Sequence, residues 1–309
     1  MNPWTAGRLL PRRRPEVLPG RGHDETRVNP WTAGRLLPGR HPKILFGWGY
    51  EDPRVELEAF PPGGRVLAIA AAGETVSALA GAGFDVTGVD INPVQLDYCR
   101  ARLAGAPAVT GSAERLLAAG RAVLRGLDPR WRPHNVAEAL QQGDLTPLLA
   151  SKRLRGLLAC GLAPLGLVLR PGFRRSIPPR LDQVLLNRLR RGLRDRPAAN
   201  PWAWRLLTGR DELATTPEPR HARLIHTDVA AHLEQVPRGW YQGVSLSNIL
   251  DGPDATYAAR LERALAHALK PGAVVVLRSF REPAPGEDAG PVDRAMLWGV
   301  VEIRRMGAS

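Results

Sequence analysis

Residues Arg65–Asp90 read RVLAIAAAGETVSALAGAGFDVTGVD, and the fold is decided here. Arg65–Ala70 (RVLAIA) is a short apolar run without alternation, the pattern of a strand buried on both faces. Ala71-Ala72-Gly73 follows as a small-residue turn. Glu74–Ala82 then reads as a helix, and Phe84–Val89 (FDVTGV) as a second strand ending on Asp90. Strand, glycine turn, helix and strand in such a short span make a βαβ unit, which requires a parallel sheet.

Working outward, Pro93–Leu103 is a further helix with proline in its first turn. The sheet pattern resumes much later. Arg223–Thr227 (RLIHT) precedes Asp228, and Gly243–Leu246 (GVSL) precedes Ser247. Tyr257–Leu269 is an amphipathic helix closed by Lys270-Pro271-Gly272, and Ala273–Arg278 (AVVVLR) is a strongly β-branched strand. Pro291–Val301 is expected to add a closing helix or hairpin. The reading is an α/β protein: one Rossmann-like domain over residues 41–309, interrupted by a mainly helical insertion at about 104–222. Residues 1–40 read as a flexible Pro/Arg-rich segment. Within them Asn2–Pro11 (NPWTAGRLLP) recurs identically at Asn29–Pro38, a local duplication too short for a solenoid.

A hydrophobic share of 44% and a charged share of 24% exclude a wholly disordered chain. Cys99 and Cys160 are the only cysteines, so no disulfide framework exists, and both are expected in buried packing. The seven histidines show no ligand spacing, and no metal is expected. The formal charge of +13 is concentrated: Ser151–Arg210 holds fourteen Lys/Arg against Asp182 and Asp195. Pro11, Pro15 and Pro19 interrupt the basic N-terminus and no apolar secretory core follows. The longest uncharged apolar run, Gly156–Leu169, is broken by Pro164 and falls short of the roughly 20 residues a spanning helix needs. A cytoplasmic protein, peripheral on the inner face of the membrane, is the expectation.

Ligands of open α/β sheets gather at the carboxyl ends of the strands. The first turn, Ala72-Gly73-Glu74, lacks the G-x-G-x-x-G glycines that let a pyrophosphate approach, which argues against NAD or FAD. S-adenosylmethionine has no phosphate and tolerates such a turn. Asp90 is placed to accept hydrogen bonds from ribose hydroxyls, Asp228 to meet an adenine edge, and Ser247-Asn248 to lie near the methionine end. Asn92, before Pro93, also stands at a helix N-cap position.

The chain resembles the bacterial enzymes that transfer a 3-amino-3-carboxypropyl group from S-adenosylmethionine to diacylglycerol, the first step of betaine-lipid synthesis. The resemblance rests on Phe46–Arg54 (FGWGYEDPR), on Arg65–Gln95 with its DINPVQ end, on Asn200–Arg210 (NPWAWRLLTGR), on Ser245–Asp251 (SLSNILD) and on Val274–Ser279 (VVVLRS). Tyr50 stands where the family has tryptophan. The resemblance implies a class I S-adenosylmethionine-dependent transferase core with S-adenosylmethionine as co-substrate. It places Asn92 and Gln95 on the donor side, and Tyr50, Glu51 and Asp52 near the acceptor's proton. Asn248 and Arg278 are expected to hold the donor's amino-acid end. The basic insertion fits an anionic membrane surface, with Leu181, Val184, Leu185, Leu189 and Leu193 along one helix side and Trp202 and Trp204 as headgroup anchors. The competing readings are a methyltransferase on the same core and a non-catalytic binder of anionic membrane or nucleic acid. No nucleic-acid reader motif is present, so a lipid or small-molecule acceptor is the expected partner.

Overall fold

The computed structural model describes residues 43–162, 177–178, 180–212, 220–253 and 255–307. The N-terminal duplication and the last part of the Gly156–Leu169 run lie outside these residues. The sheet holds β1 (Arg65–Ile69), β2 (Asp85–Asp90), β3 (Arg223–His226), β4 (Tyr241–Ser245), β5 (Leu269–Ser279) and β6 (Val300–Arg305) in the order β3-β2-β1-β4-β5-β6. All neighbours are parallel except β5 and β6. This is a doubly wound, Rossmann-like sheet, and the chain reverses direction across β1, so the switch point lies between β1 and β4.

The strands read as they do because both faces are covered. One face carries α1 (Arg54–Ala59), α2 (Glu74–Gly81) and α3 (Pro93–Leu103), with Val55, Val76, Leu79, Leu96 and Cys99 packed on Val66, Ala68, Val274 and Val276. The other carries α10 (Val229–Gln235) and α11 (Ala255–Ala268), packed on Leu67, Val89, Val244 and Val275. The segment Pro291–Val301 proves to be mostly irregular, and the closing element is the antiparallel strand β6.

Between α3 and β3 the chain builds α4 (Ser112–Leu127), α5 (Pro133–Gln142), α6 (Thr146–Leu149), α7 (Lys152–Leu162), α8 (Leu181–Gly192) and α9 (Pro201–Leu207). These helices share their own apolar core, which includes Leu124, Trp131, Leu140, Leu154, Trp202 and Trp204 and also takes in Tyr50 and Met296. Trp202 and Trp204 are therefore core residues, not surface anchors. Their indole N–H groups donate to the carbonyls of Gly49 at 2.9 Å and Ala198 at 2.8 Å. Of the anticipated leucine stripe, Leu193 just past α8 is buried in this core and Leu189 packs against it, while the buried residues within α8 are Leu186 and Arg188. Arg188 goes inside because Glu282 and the carbonyls of Phe280 and Leu297 meet its guanidinium. Cys99 is buried, whereas Cys160 is exposed, contrary to expectation.

The insertion meets the sheet through residues 43–52, a strap laid over the strand ends. A Cβ at Gly47 would overlap the Val109 carbonyl oxygen, so only glycine permits this approach. Gly120, on α4, has open space around a Cβ. Gly47→Ala is expected to lower unfolding stability by about 1–3 kcal/mol through overpacking, while Gly120→Ala gains up to about 1 kcal/mol from helix propensity. Urea denaturation of the two variants beside the parent chain checks both signs.

Candidate functional site

The strand ends at the switch point carry an unusual backbone. Ala71, just after β1, and Ser247, just after β4, have φ of 43° and 53°, a left-handed conformation rare outside glycine. Such strain persists where surroundings enforce it and concentrates at functional sites. Gly73, with φ of 90°, starts α2 beside the buried Ala72.

Asp90 ends β2 next to this turn. Its carboxylate accepts from the main-chain N–H of Ala71 at 3.2 Å and of Asn92 at 2.9 Å. Burial pushes its pKa up to about 6, against the pull of those N–H groups. The carboxylate is thus fixed at the edge of the β1 turn. Asn92 and Gln95 act behind it. Asn92 caps α3 through Val94 and Gln95 and donates to the Lys43 carbonyl at 3.0 Å. Gln95 accepts from Leu45 at 2.8 Å and donates to the Ala71 carbonyl at 2.9 Å, which ties the strap to the strained turn.

The Tyr50-Glu51-Asp52 triplet is split by the fold. Tyr50 is buried in the insertion's core, and its hydroxyl donates to Glu114 at 2.8 Å. Burial and the Glu114 carboxylate raise its pKa far above the ordinary tyrosine range, so it stays protonated. Asp52 faces the other way and pairs with Arg294. Glu51 alone reaches the end of β4, where it accepts a hydrogen bond from the Ser247 hydroxyl.

Arg278 does not stand ready for a ligand's carboxylate. Its side chain is fully buried: Nε donates to Asp293 at 2.8 Å, Nη1 to Glu56 at 2.5 Å, and Nη2 to Glu56 and to the Asp52 carbonyl at 3.1 Å each. Glu51 stands 3.7 Å from Nη1. Burial works against the guanidinium's charge, yet Glu56, Glu51 and Asp293 outweigh it and hold its pKa well above the ordinary value. Burial pushes Glu51 up, and Arg278 only partly offsets this because Glu56 and Asp293 compete for the same cation. Here Glu51, Asp52, Glu56 and Asp293 share Arg278 and Arg294, so carboxylates outnumber guanidiniums.

The remaining expected residues are placed as follows. Asn248 donates to the buried Asp251 at 3.3 Å, and Asp251 accepts from the Ser279 hydroxyl at 2.6 Å. Asp228 caps α10 through Ala231 and accepts from the Tyr257 hydroxyl at 2.6 Å, which suits a structural role. Glu74 faces the strap, accepts from the Gly49 N–H and pairs with Arg205 at 3.1 Å. Glu56, Asp293, Arg294 and Glu114 were not expected. Glu114 takes Gly47 N–H at 2.9 Å, Gly111 N–H at 2.8 Å and the Tyr50 hydroxyl, and so anchors the strap from the insertion's side. Among the described residues, no group of three or more His, Cys, Asp or Glu side chains is arranged to hold a metal.

No protein-family model and no curated protein matches the chain. Among solved structures it aligns with a possible exported protein from Bordetella parapertussis at 16% identity and a TM-score of 0.30, covering 76% of this chain and 42% of that one. It also aligns with an rRNA methyltransferase from Streptomyces viridochromogenes in two crystal structures, at 15% and 16% identity and TM-scores of 0.29 and 0.28. Each of these covers 88% of this chain and 95% of the other. Scores of this size leave function to be argued from the site.

Glu74 offers a direct test of the strap. Burial raises its pKa from 4.5 to about 7, with Arg205 and Arg102 opposing. An acid that binds its proton more tightly when folded contributes fully below its unfolded pKa, and that contribution is lost as pH rises through the folded one. Stability should therefore fall between pH 4.5 and about 7 by up to roughly 3 kcal/mol on this account. Glu74→Gln is expected to flatten that decline, read from denaturation midpoints at pH 5 and pH 8.

Proposed function

We propose that this chain is an S-adenosylmethionine-dependent transferase that moves the 3-amino-3-carboxypropyl group to a hydroxyl of a diacylglycerol-like acceptor and releases methylthioadenosine. The observation that carries the reading is the placement of Asp90 and Glu51 at the ends of β2 and β4, on either side of the strained β1 turn. Two strand spacings, about 10 Å, separate those ends, a span suited to a nucleoside with an extended amino-acid tail. Asp90 supplies an ionised acceptor for a ribose diol. The surplus of carboxylates around Arg278 favours a cationic ligand, and the sulfonium donor is one. The turn's lack of a glycine-rich cradle fits a donor without phosphate.

The chemistry follows from these groups. Glu51, with its pKa raised by burial, is a stronger base than a solvated carboxylate and receives the acceptor's proton. The acceptor oxygen attacks Cγ of the donor's methionine moiety as the Cγ–S bond breaks. The bonding pair goes to sulfur, and neutral methylthioadenosine leaves. The fold's part is orientation, bringing Cγ rather than the methyl carbon into line with the acceptor.

Mass spectrometry of purified protein incubated with S-adenosylmethionine and a total lipid extract reads the outcome. The expected products are methylthioadenosine above a no-enzyme control and a lipid heavier by the aminocarboxypropyl group. S-adenosylhomocysteine with a methylated acceptor would make the protein a methyltransferase instead. Glu51→Gln is expected to lower turnover by about 10²–10⁴-fold, the usual contribution of a general base. Donor affinity, measured by calorimetry, should fall as pH drops below about 6 and Asp90 takes up its proton. Asp90→Asn should bind weakly and without that pH dependence.

A further inference from the structure

Among the described residues seven large hydrophobic side chains are exposed, and three of them, Leu116, Val123 and Leu127, stand on α4. Single exposed hydrophobics need no explanation, but a contiguous set does. Leu116, Gly120, Val123 and Leu127 recur at i, i+4, i+7 and i+11, which puts them on one helix face. Ala119, Ala122 and Gly126 widen the exposed face with small residues, and the exposed Arg115 flanks it. The adjoining face is already used: Ala113, Glu114 and Leu124 are buried. The helix therefore has one side packed on the protein and one turned out.

The exposed charges of α4 and α7 have one sign. Glu114 is the only acid on α4, and it is buried. Beyond the helix Asp128 is buried against Arg130, whose side chain is half exposed. Helix α7, which shares the insertion's core with α4 through Leu154 and Leu124, exposes Lys152, Arg153 and Arg155 and has no acid. An apolar stripe bordered by cations suits an interfacial helix whose apolar side enters the acyl boundary while basic groups meet anionic headgroups. The occupant that matches both features is a bilayer carrying anionic lipid. A protein partner would have to supply an apolar and acidic face together, and a second copy of this strongly basic chain would meet like charge.

We propose that the outward face of α4 is a docking surface for anionic lipid bilayers. It lies apart from the tryptophans once expected to anchor the chain, since Trp202 and Trp204 are in the core. Its position is also informative: the first turn of α4 holds Glu114, which grips the strap bearing Glu51. Docking along α4 would set the candidate site beside the lipid surface.

Sedimentation of the full chain with vesicles of phosphatidylcholine, with and without phosphatidylglycerol, tests the surface without any turnover. Its result is thus separate from the fate of the transferase reading. Binding is expected with phosphatidylglycerol and should weaken as salt rises. Replacing the stripe by Leu116→Gln, Val123→Gln and Leu127→Gln together should lower partitioning at least tenfold, with circular dichroism melting showing that the fold is kept. A second variant, Arg115→Gln with Lys152→Gln and Arg153→Gln, should lose the preference for phosphatidylglycerol. The proposal is overturned if the parent chain ignores phosphatidylglycerol vesicles or if the stripe variant binds like the parent. It is also overturned if sedimentation velocity shows a dimer that the stripe variant dissociates while vesicle binding is unchanged.

Discussion

The guanidinium of Arg278 has no exposed surface, and removing such a charge from water is costly unless its donors find acceptors. β5 delivers it to the carboxyl end of the sheet, where Glu56 comes from α1, Asp293 from the loop before β6 and a carbonyl from Asp52. Glu56 and Asp52, four residues apart, lie more than 220 residues from Arg278 in sequence, and Asp293 lies fifteen away. Satisfying one side chain therefore fixes where the strap leaves the strand ends, how α1 starts and where the last loop returns. Arg294 extends the arrangement by taking Asp52, and the Trp298 indole adds a bond to the Tyr50 carbonyl at 2.8 Å.

Buried ion clusters are weak evidence of stability, because apolar side chains of similar volume can do as well. The consequence that matters is electrostatic. With Glu56 and Asp293 already on Arg278, Glu51 has only a distant share of that charge, and burial raises its pKa. Elevated carboxylates of this kind are what general-base chemistry uses. On the transferase reading, Arg278 thus acts through Glu51.

The sheet was legible because its signals are local. An unbroken apolar run, a small-residue turn and Pro93 after Asn92 each act within a few residues, and the capping of α3 by Asn92 follows from that spacing alone. The place of Asp90 at the end of β2 was legible for the same reason. Arg188 was not: helix periodicity alone sends a basic side chain to water, and Glu282, 94 residues away, with the Phe280 and Leu297 carbonyls reverses that. Glu114 escaped notice likewise, since its partners on the strap lie about 65 residues upstream. Sequence can mark a charge, but its neutralising partner is set by the tertiary structure. The Tyr50-Glu51-Asp52 triplet shows the limit most clearly, because three adjacent polar residues point to three different bodies.

That divergence gives the strap its mechanical role. Tyr50 is fastened to α4 through Glu114, Asp52 to the last loop through Arg294, and the upstream end to α3 through Gln95. Glu51 lies between fixed points and has little freedom of its own. Its position against Ser247 is set by how the insertion, α3 and the last loop sit around the strand ends. On the transferase reading, the sheet's turns serve the donor and the insertion governs the acceptor. Differences in acceptor would then be written into α4–α9, while the Asp90 side could stay unchanged. The tyrosine at position 50 belongs to this division: its hydroxyl bonds to Glu114, a contact an indole could make only from a different place on its ring.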